Sequence, residues 1–316
     1  MDVLFAAKET AWGGFLDMIR SALPDVRFHA SGGFHVESLA GYDVLIPTMT
    51  LITREILATA DRLRLVQQCG AGLEGVDSAA ARDMGVHVAN VPTGESGNAD
   101  SVAEMGIYLM IGLARDFQGM ARSLAERRMG EPRGMALAGR TVGIVGLGGI
   151  GRALIRRLRA FDVRLIGLKQ SDPDSAREDL GLEWVGGASD LDELLGRSDV
   201  VVLCLPLNAD TQGLMNRENL SRMRPGSFLI NLSRGGLVAR DALKEALASG
   251  RLAGAGLDVF WEEPPDPEDP VFEQNVLATP HVAGSTDVSI AGIVAAVAEN
   301  IRRLQNEEEP LHVQNR

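Results

Sequence analysis

The sequence predicts an α/β protein made of two doubly wound parallel sheets. Three observations point there. Short apolar runs alternate with helically spaced stretches from residue 2 to about 95, the pattern of a parallel sheet with helices on both faces. A second series of the same kind starts at Thr141, and its first strand runs into a glycine-rich turn that opens a helix. The length of 316 residues fits two domains on a scale of about 100–200 residues each.

In the first series Val3–Ala7, Val26–Ala30, Asp43–Thr48, Leu63–Cys69 and Val86–Val91 read as strands. Thr10–Leu23, Thr53–Thr59 and Leu73–Met84 have helical spacing, several with Thr or Asp near the start and Gly near the end. Segment 90–98 carries Pro and two Gly, so a turn and a hinge near residue 98 are expected. From Ala99 to Arg115, extending to Arg127, one long helix is predicted whose apolar residues nearly encircle it. Such a helix is buried on several sides.

The second series places strands at Thr141–Val145, Arg164–Leu168, Asp199–Leu205, Ser227–Leu232, Ala255–Val259 and Val276–Thr279. Helices are expected at Ile150–Ala160, Leu191–Leu195, Glu218–Met223 and Arg240–Ser249. Ser285–Gln305 is a long helical pattern that returns the chain to the first domain. The expected domains are therefore 1–97 with 286–316, and 98–285.

Hydrophobic residues at 45% and charged residues at 23% exclude a disordered chain. With 31 basic against 43 acidic residues the net charge is −12, which argues against nucleic acid as a partner. A small anionic substrate would need its own local cation. No apolar run reaches the roughly 18–20 residues of a membrane span, and the first residues lack a basic leader. Cys69 and Cys204 both sit in apolar runs and read as buried thiols of a reduced, cytoplasmic protein. No metal site is expected.

Val142–Gly151 is a strand followed by Gly146-x-Gly148-x-x-Gly151 and a helix. The first glycine permits the tight turn and the second lets backbone approach a pyrophosphate. The third lets helix pack on strand, and the helix N-terminus faces the phosphate charge. A dinucleotide site follows from this context. The strand Arg164–Leu168 then ends in Lys169-Gln170-Ser171 without a carboxylate. A Lys there can pair with a 2′-phosphate, whereas a ribose hydroxyl needs an acceptor, which tilts the cofactor from NAD toward NADP. Arg152, Arg156, Arg157 and Arg159 on the following helix read as a solvated face.

Three more strand ends carry Arg234, Glu263 and His281. Strand ends of a doubly wound sheet face the ligand crevice. Together the three residue types suit carbonyl reduction. Arg holds and polarises the substrate, His exchanges the proton, and the carboxylate favours the charged His and fixes its tautomer. Glu263 is preferred to Glu262 because Pro264 stiffens its backbone. His29, His35, His87 and His312 lack such surroundings and read as ordinary.

The blocks G-L-G-G-I-G, N-L-S-R-G-G-L-V, G-L-D-V-F-W-E-E-P and T-P-H-V-A-G resemble the signature blocks of the D-isomer-specific 2-hydroxyacid dehydrogenases, over nearly the whole chain. The resemblance implies a Rossmann coenzyme domain inserted into a flavodoxin-like substrate domain, with catalysis between them. It implies that Arg234 binds substrate, that Glu263 pairs with His281, and that His281 is the acid/base. By the same resemblance Gly70, Ala71, Gly72 and Leu73 hold the substrate carboxylate through backbone N–H groups. Gly146, Gly148, Gly149, Ile150, Gly151, Lys169, Leu205, Pro206, Thr211, Leu232, Ser233 and Asp258 would contact the dinucleotide, with Asp258 near the nicotinamide amide. The long helix from Ala99 would lie in a homodimer interface. Lys169 departs from the family's usual Asp, and Ala239 from an Asp whose capping role Asp241 could take. The implied activity is reduction of small 2-oxo acids, such as glyoxylate or hydroxypyruvate, to D-2-hydroxy acids. A dinucleotide-sensing regulatory protein or a phosphite oxidase of the same fold are the alternatives.

Overall fold

The computed structural model describes all 316 residues. In chain order its elements are β1 (Asp2–Phe5), α1 (Phe15–Ala22), β2 (Arg27–Ala30), β3 (Val44–Ile46), α2 (Arg54–Leu57), β4 (Leu65–Gln67), α3 (Ser78–Asp83), β5 (His87–Ala89), α4 (Asn98–Ala114) and α5 (Phe117–Ala125). They continue with β6 (Thr141–Val145), α6 (Gly149–Leu158), β7 (Arg164–Leu168), α7 (Pro173–Leu180), β8 (Trp184–Gly186), α8 (Leu191–Arg197), β9 (Val200–Leu203) and α9 (Arg217–Arg222). The last are β10 (Ser227–Asn231), α10 (Arg240–Ala248), β11 (Leu252–Leu257), β12 (Val276–Ala278) and α11 (Asp287–Gln305). The chain divides into two units, Met1–Asn98 with Ser285–Arg316, and Ala99–Gly284.

Each unit holds one parallel sheet, ordered β2-β1-β3-β4-β5 in the first and β12-β11-β10-β9-β6-β7-β8 in the second. Strands β1, β3, β4, β6, β9 and β10 are buried along their whole length. That follows from helices covering both faces, which replaces alternation with continuous apolar runs. In the first unit Val3, Phe5, Val44 and Ile46 pack with α1 and with Val294, Val297, Ala298, Ile301 and Leu304 of α11. Each side chain so buried contributes about 1.5–3 kcal/mol relative to exposure.

The edge of β5 is closed by the C-terminal tail. Val313 bridges antiparallel to Ala89, Gln314 N–H donates to Val88 O at 2.8 Å, and Asn315 bonds Val88 N and Val86 O through its amide. At the opposite edge, Arg27 and His29 of β2 reach the buried carboxylate of Asp2, which Arg62 also binds. These hydrogen bonds hold the Asp2 carboxyl well below its usual range, that of Arg27 foremost and against the opposing effect of burial.

The structure differs from the sequence reading in several places. The helix expected from Ala99 to Arg127 is two helices, because Asp116 adopts a left-handed φ of 52° and caps α5 by accepting from Gly119 N–H. The helix expected from Thr10 begins only at Phe15, after Gly13 and Gly14 in left-handed conformations. That expected from Leu73 begins at Ser78, capped by Asp77. Helix α7 and strand β8 are additions to the expected elements. The first buries only Ala176 and Leu180, and the second has only three residues, so neither leaves a clear period.

Candidate active site

The strand ends of the second unit carry the residues singled out in its sequence. Gly146 follows β6 with φ 102°, and a Cβ there would lie 2.7 Å from Cys204 O. Only glycine accepts that conformation and closeness. A Cβ on Gly151 would strike Gly146 O, so the start of α6 sits directly on the turn. A Cβ on Gly148 meets nothing within 4 Å. This residue is the N-cap of α6 and has no side-chain cap, and the N–H groups of Gly149, Ile150 and Gly151 lie in the first helical turn, where no intrahelical acceptor exists. A bare helix start with open space before it suits a pyrophosphate. The residues fit a dinucleotide.

Lys169 follows β7 and bonds only through its backbone, to Gly186 O at 3.0 Å. Leu205 and Pro206 follow β9, and Thr211 donates its hydroxyl to Pro206 O at 2.9 Å. Ser233 donates to Leu203 O, while the Leu232 side chain is 4% exposed and packs against Gly106. Leu232 thus offers a ligand its backbone only. Three of the four arginines expected on a solvated face are engaged, and Arg152 alone is exposed without a partner. Arg156 and Arg157 pair with Asp100 of α4, Arg157 also with Glu104, and Arg159 donates to Leu180 O. Asp241 does not cap α10, whose N-cap Ala239 has no side-chain bond.

Arg234 sits just beyond β10. Asn231 shapes its turn, accepting from Ser233 N–H at 3.1 Å and donating to Arg234 O at 2.8 Å. Glu263 lies six residues past β11. Its Oε1 accepts from Phe260 N–H at 3.0 Å and its Oε2 lies 2.6 Å from His281 Nδ1. Burial alone would push the Glu263 carboxyl up, but the His281 hydrogen bond and charge, with help from Phe260 N–H and Arg234, hold it below its ordinary value. His281 follows β12 with φ 53°. Either side of it, Asp258 grips the loop, accepting from Thr279 Oγ1 at 2.6 Å, Val282 N–H at 3.0 Å and Ala283 N–H. Asp258 is 1% exposed, and burial, only partly offset by these donors, raises its carboxyl pKa.

Sequence reasoning gives Asn231 and Thr279 no role of their own. The Asn-x-Ser order before Arg234 is a turn signal that could have found the first. The remaining histidines are less ordinary than expected, since His29 lies 3.2 Å from Asp2 and His312 3.0 Å from Glu95. In the first unit, Gly70, Ala71, Gly72 and Leu73 follow β4. None of their N–H groups donates to a protein acceptor, while Ala71 O accepts from Asn90 at 2.8 Å. No three His, Cys, Asp or Glu side chains gather as a metal site, and no helix is long and apolar enough to cross a membrane.

The family model described as D-isomer specific 2-hydroxyacid dehydrogenase, NAD binding domain matches residues 107–283. The chain belongs to this family. A D-3-phosphoglycerate dehydrogenase of Methanocaldococcus jannaschii is 34% identical over 85% of the chain and 51% of its own length. The chain spans about half the length of the phosphoglycerate dehydrogenases it matches. A glyoxylate reductase of Thermococcus onnurineus is 34% identical over 89% of the chain and 85% of its own. Among solved structures, the TT0316 protein from Thermus thermophilus matches with TM-score 0.84 and 30% identity over 99% of both chains.

Proposed function

We propose that this 2-hydroxyacid dehydrogenase family member reduces small 2-oxo acids to D-2-hydroxy acids with a nicotinamide dinucleotide. The observation that carries the reading is the 2.6 Å pair of His281 Nδ1 and Glu263 Oε2, with Arg234 on the neighbouring strand end. The dinucleotide, held by the turn Gly146–Gly151, supplies the hydride when bound. Glu263 accepts a hydrogen bond from His281 Nδ1–H and stabilises the imidazolium, so that His281 Nε2 gives its proton to the carbonyl oxygen and takes it back in reverse. Arg234 binds and polarises the oxo acid through its planar fork. In the first unit, the amides of Gly70–Leu73, which donate to no protein acceptor, are suited to a carboxylate. Oxidation of NADH or NADPH with glyoxylate, hydroxypyruvate and pyruvate tests this. Absence of turnover with every one would overturn it.

Lys169 favours NADPH, because its ammonium is unpaired at the strand end where the adenosine ribose is bound in such sheets. Lys169→Asp is expected to shift the NADPH/NADH ratio of kcat/KM toward NADH by about 10–100-fold, the worth of roughly 1.4–2.7 kcal/mol. An unchanged ratio would remove Lys169 from the cofactor site.

A homodimer through the coenzyme unit is supported by exposed apolar side chains on α4 and α5. Tyr108, Phe117, Met120 and Leu124 are 45%, 47%, 41% and 76% exposed. Such a row marks an interaction surface. Light scattering should give twice the chain mass, and Leu124→Glu should lower it toward the monomer. Both cysteines are free thiols, Cys204 buried and Cys69 only half-buried where burial was expected, which accords with a reducing cytoplasm.

A further inference from the structure

The register of the five-stranded sheet governs how the Gly70–Leu73 loop is held. Strands β4 and β5 run side by side with Gln67 opposite Ala89, so residues 68–71 leave β4 beside residues 90–91 as these leave β5. Three hydrogen bonds join the two exits. Gln68 N–H donates to Ala89 O at 2.8 Å, and Val91 N–H donates to Gly70 O at 3.3 Å. The third comes from a side chain, Asn90 Nδ2 donating to Ala71 O at 2.8 Å.

The last two bonds fix where the loop aims its amides. In a planar trans peptide the C=O and the N–H point in opposite directions, and the peptide bonds of this loop are trans. Gly70 O shares a peptide with Ala71 N–H, and Ala71 O shares one with Gly72 N–H. Tying both oxygens to the β5 exit turns both N–H groups away from it. Ala71 is exposed and Gly72 half-buried, and neither N–H donates to a protein acceptor. Successive N–H groups aimed one way make a seat for an anion. The two anchors differ in kind. Backbone holds Gly70 O whatever the side chains are, whereas the Asn90 amide alone holds Ala71 O. Glycine flanks Ala71 on both sides, so without that amide its peptide can rotate.

Asn90 is itself fixed from behind. Ala89 bridges Val313 of the C-terminal tail, and Asn90 N–H donates to His312 O at 3.4 Å. The tail is held in turn by Asn300, which is 2% exposed. Its amide accepts from Leu311 N–H at 2.7 Å and donates to Leu311 O at 3.1 Å. Asn90 Oδ1 is buried and meets no donor, a cost that an apolar side chain would avoid. What the amide contributes is its Nδ2 bond.

We propose that Asn90 is a positioning residue for the substrate carboxylate, orienting Gly72 N–H through Ala71 O. The role rests on the 2-oxo acid reading above. Asn90 acts through the loop and not by contact with the acid. The test measures initial rates with glyoxylate and a reduced dinucleotide, and inhibition by oxamate, a carboxylate that is not turned over. In Asn90→Ala, KM for glyoxylate and Ki for oxamate should rise together about tenfold, the lower end of what a hydrogen bond to a charged group contributes. The kcat and the KM for the dinucleotide should stay close to the parent's, the pattern of lost ground-state binding. Asn90→Asp keeps the shape but sets an acceptor against Ala71 O, so both constants should rise at least as much. Unchanged KM and Ki in both variants, where the parent reduces glyoxylate, would overturn the proposal and leave the 2-oxo acid reading standing. So would an equal loss of kcat and of dinucleotide affinity, the mark of general damage to the fold. A parent that reduces no 2-oxo acid would bring down that reading, and the proposal with it.

Discussion

Replacing His281 by alanine is expected to lower kcat by about 10²–10⁴-fold, the usual worth of a positioned proton donor. Cofactor affinity, followed by quenching of protein fluorescence, should change little, because the glycine turn that holds the dinucleotide is untouched. Glu263 reports independently on the same change. With His281 present, the hydrogen bond and charge outweigh burial and keep the Glu263 carboxyl below its ordinary value. A depressed carboxylate pKa stabilises the fold above the ordinary value of about 4.3, and that stability is lost as pH falls through the depressed one. His281→Ala leaves burial opposed only by Phe260 N–H and Arg234. The variant should therefore be less stable than the parent at neutral pH, with the difference shrinking in denaturant titrations below about pH 4. Retained turnover would refute His281 as the acid/base. A stability gap that does not depend on pH would refute the charged pair.

The second large effect is expected at Arg234. Its truncation to alanine should lower kcat/KM by about 10²–10³-fold, or roughly 3–4 kcal/mol. KM should rise, since the guanidinium anchors the ground state, and kcat should fall, since it also polarises the carbonyl. Arg234→Lys keeps the charge but loses the planar fork, so it should recover only part of the loss. Asn231 holds the turn around Arg234 by two bonds, and the guanidinium adds one to Ser233 O at 2.7 Å. Circular dichroism of both variants should match the parent, with a small drop in the thermal melt for the lost bond. An unchanged KM in Arg234→Ala would place the substrate elsewhere.

What the sequence made legible was local. The turn Gly146–Gly151 announces itself because Gly146 and Gly151 each answer a steric demand of one strand–turn–helix crossing, while Gly148 leaves open space before the helix. Arg234 and His281 were legible because strand ends can be recognised from apolar runs that stop at polar ones. The grip of Asp258 on residues 279–283 was not, because it depends on β11 and β12 lying side by side although 18 residues separate Leu257 from Val276. The same holds for Asp100 with Arg156 and Arg157, which meet only through α4 lying against α6. The break at Asp116 escaped the helical pattern because apolar residues continue on both sides of it, and only the backbone of one residue changes hand. Helix α7 escaped for the opposite reason, having too little apolar surface to mark a face.

The pairing of residues 313–315 with β5 has a bearing on how the chain behaves in concentrated solution. A parallel sheet ends in strands whose outer N–H and C=O groups can recruit another chain. On the β5 side the tail already takes those groups up. On the β2 side, Arg27 holds an exposed guanidinium against the Asp2 carboxylate of the neighbouring strand. A strand docking edge-on there would have to desolvate that charge. Both rims of the five-stranded sheet are thus guarded against sheet-to-sheet growth, one by occupancy and the other by electrostatics.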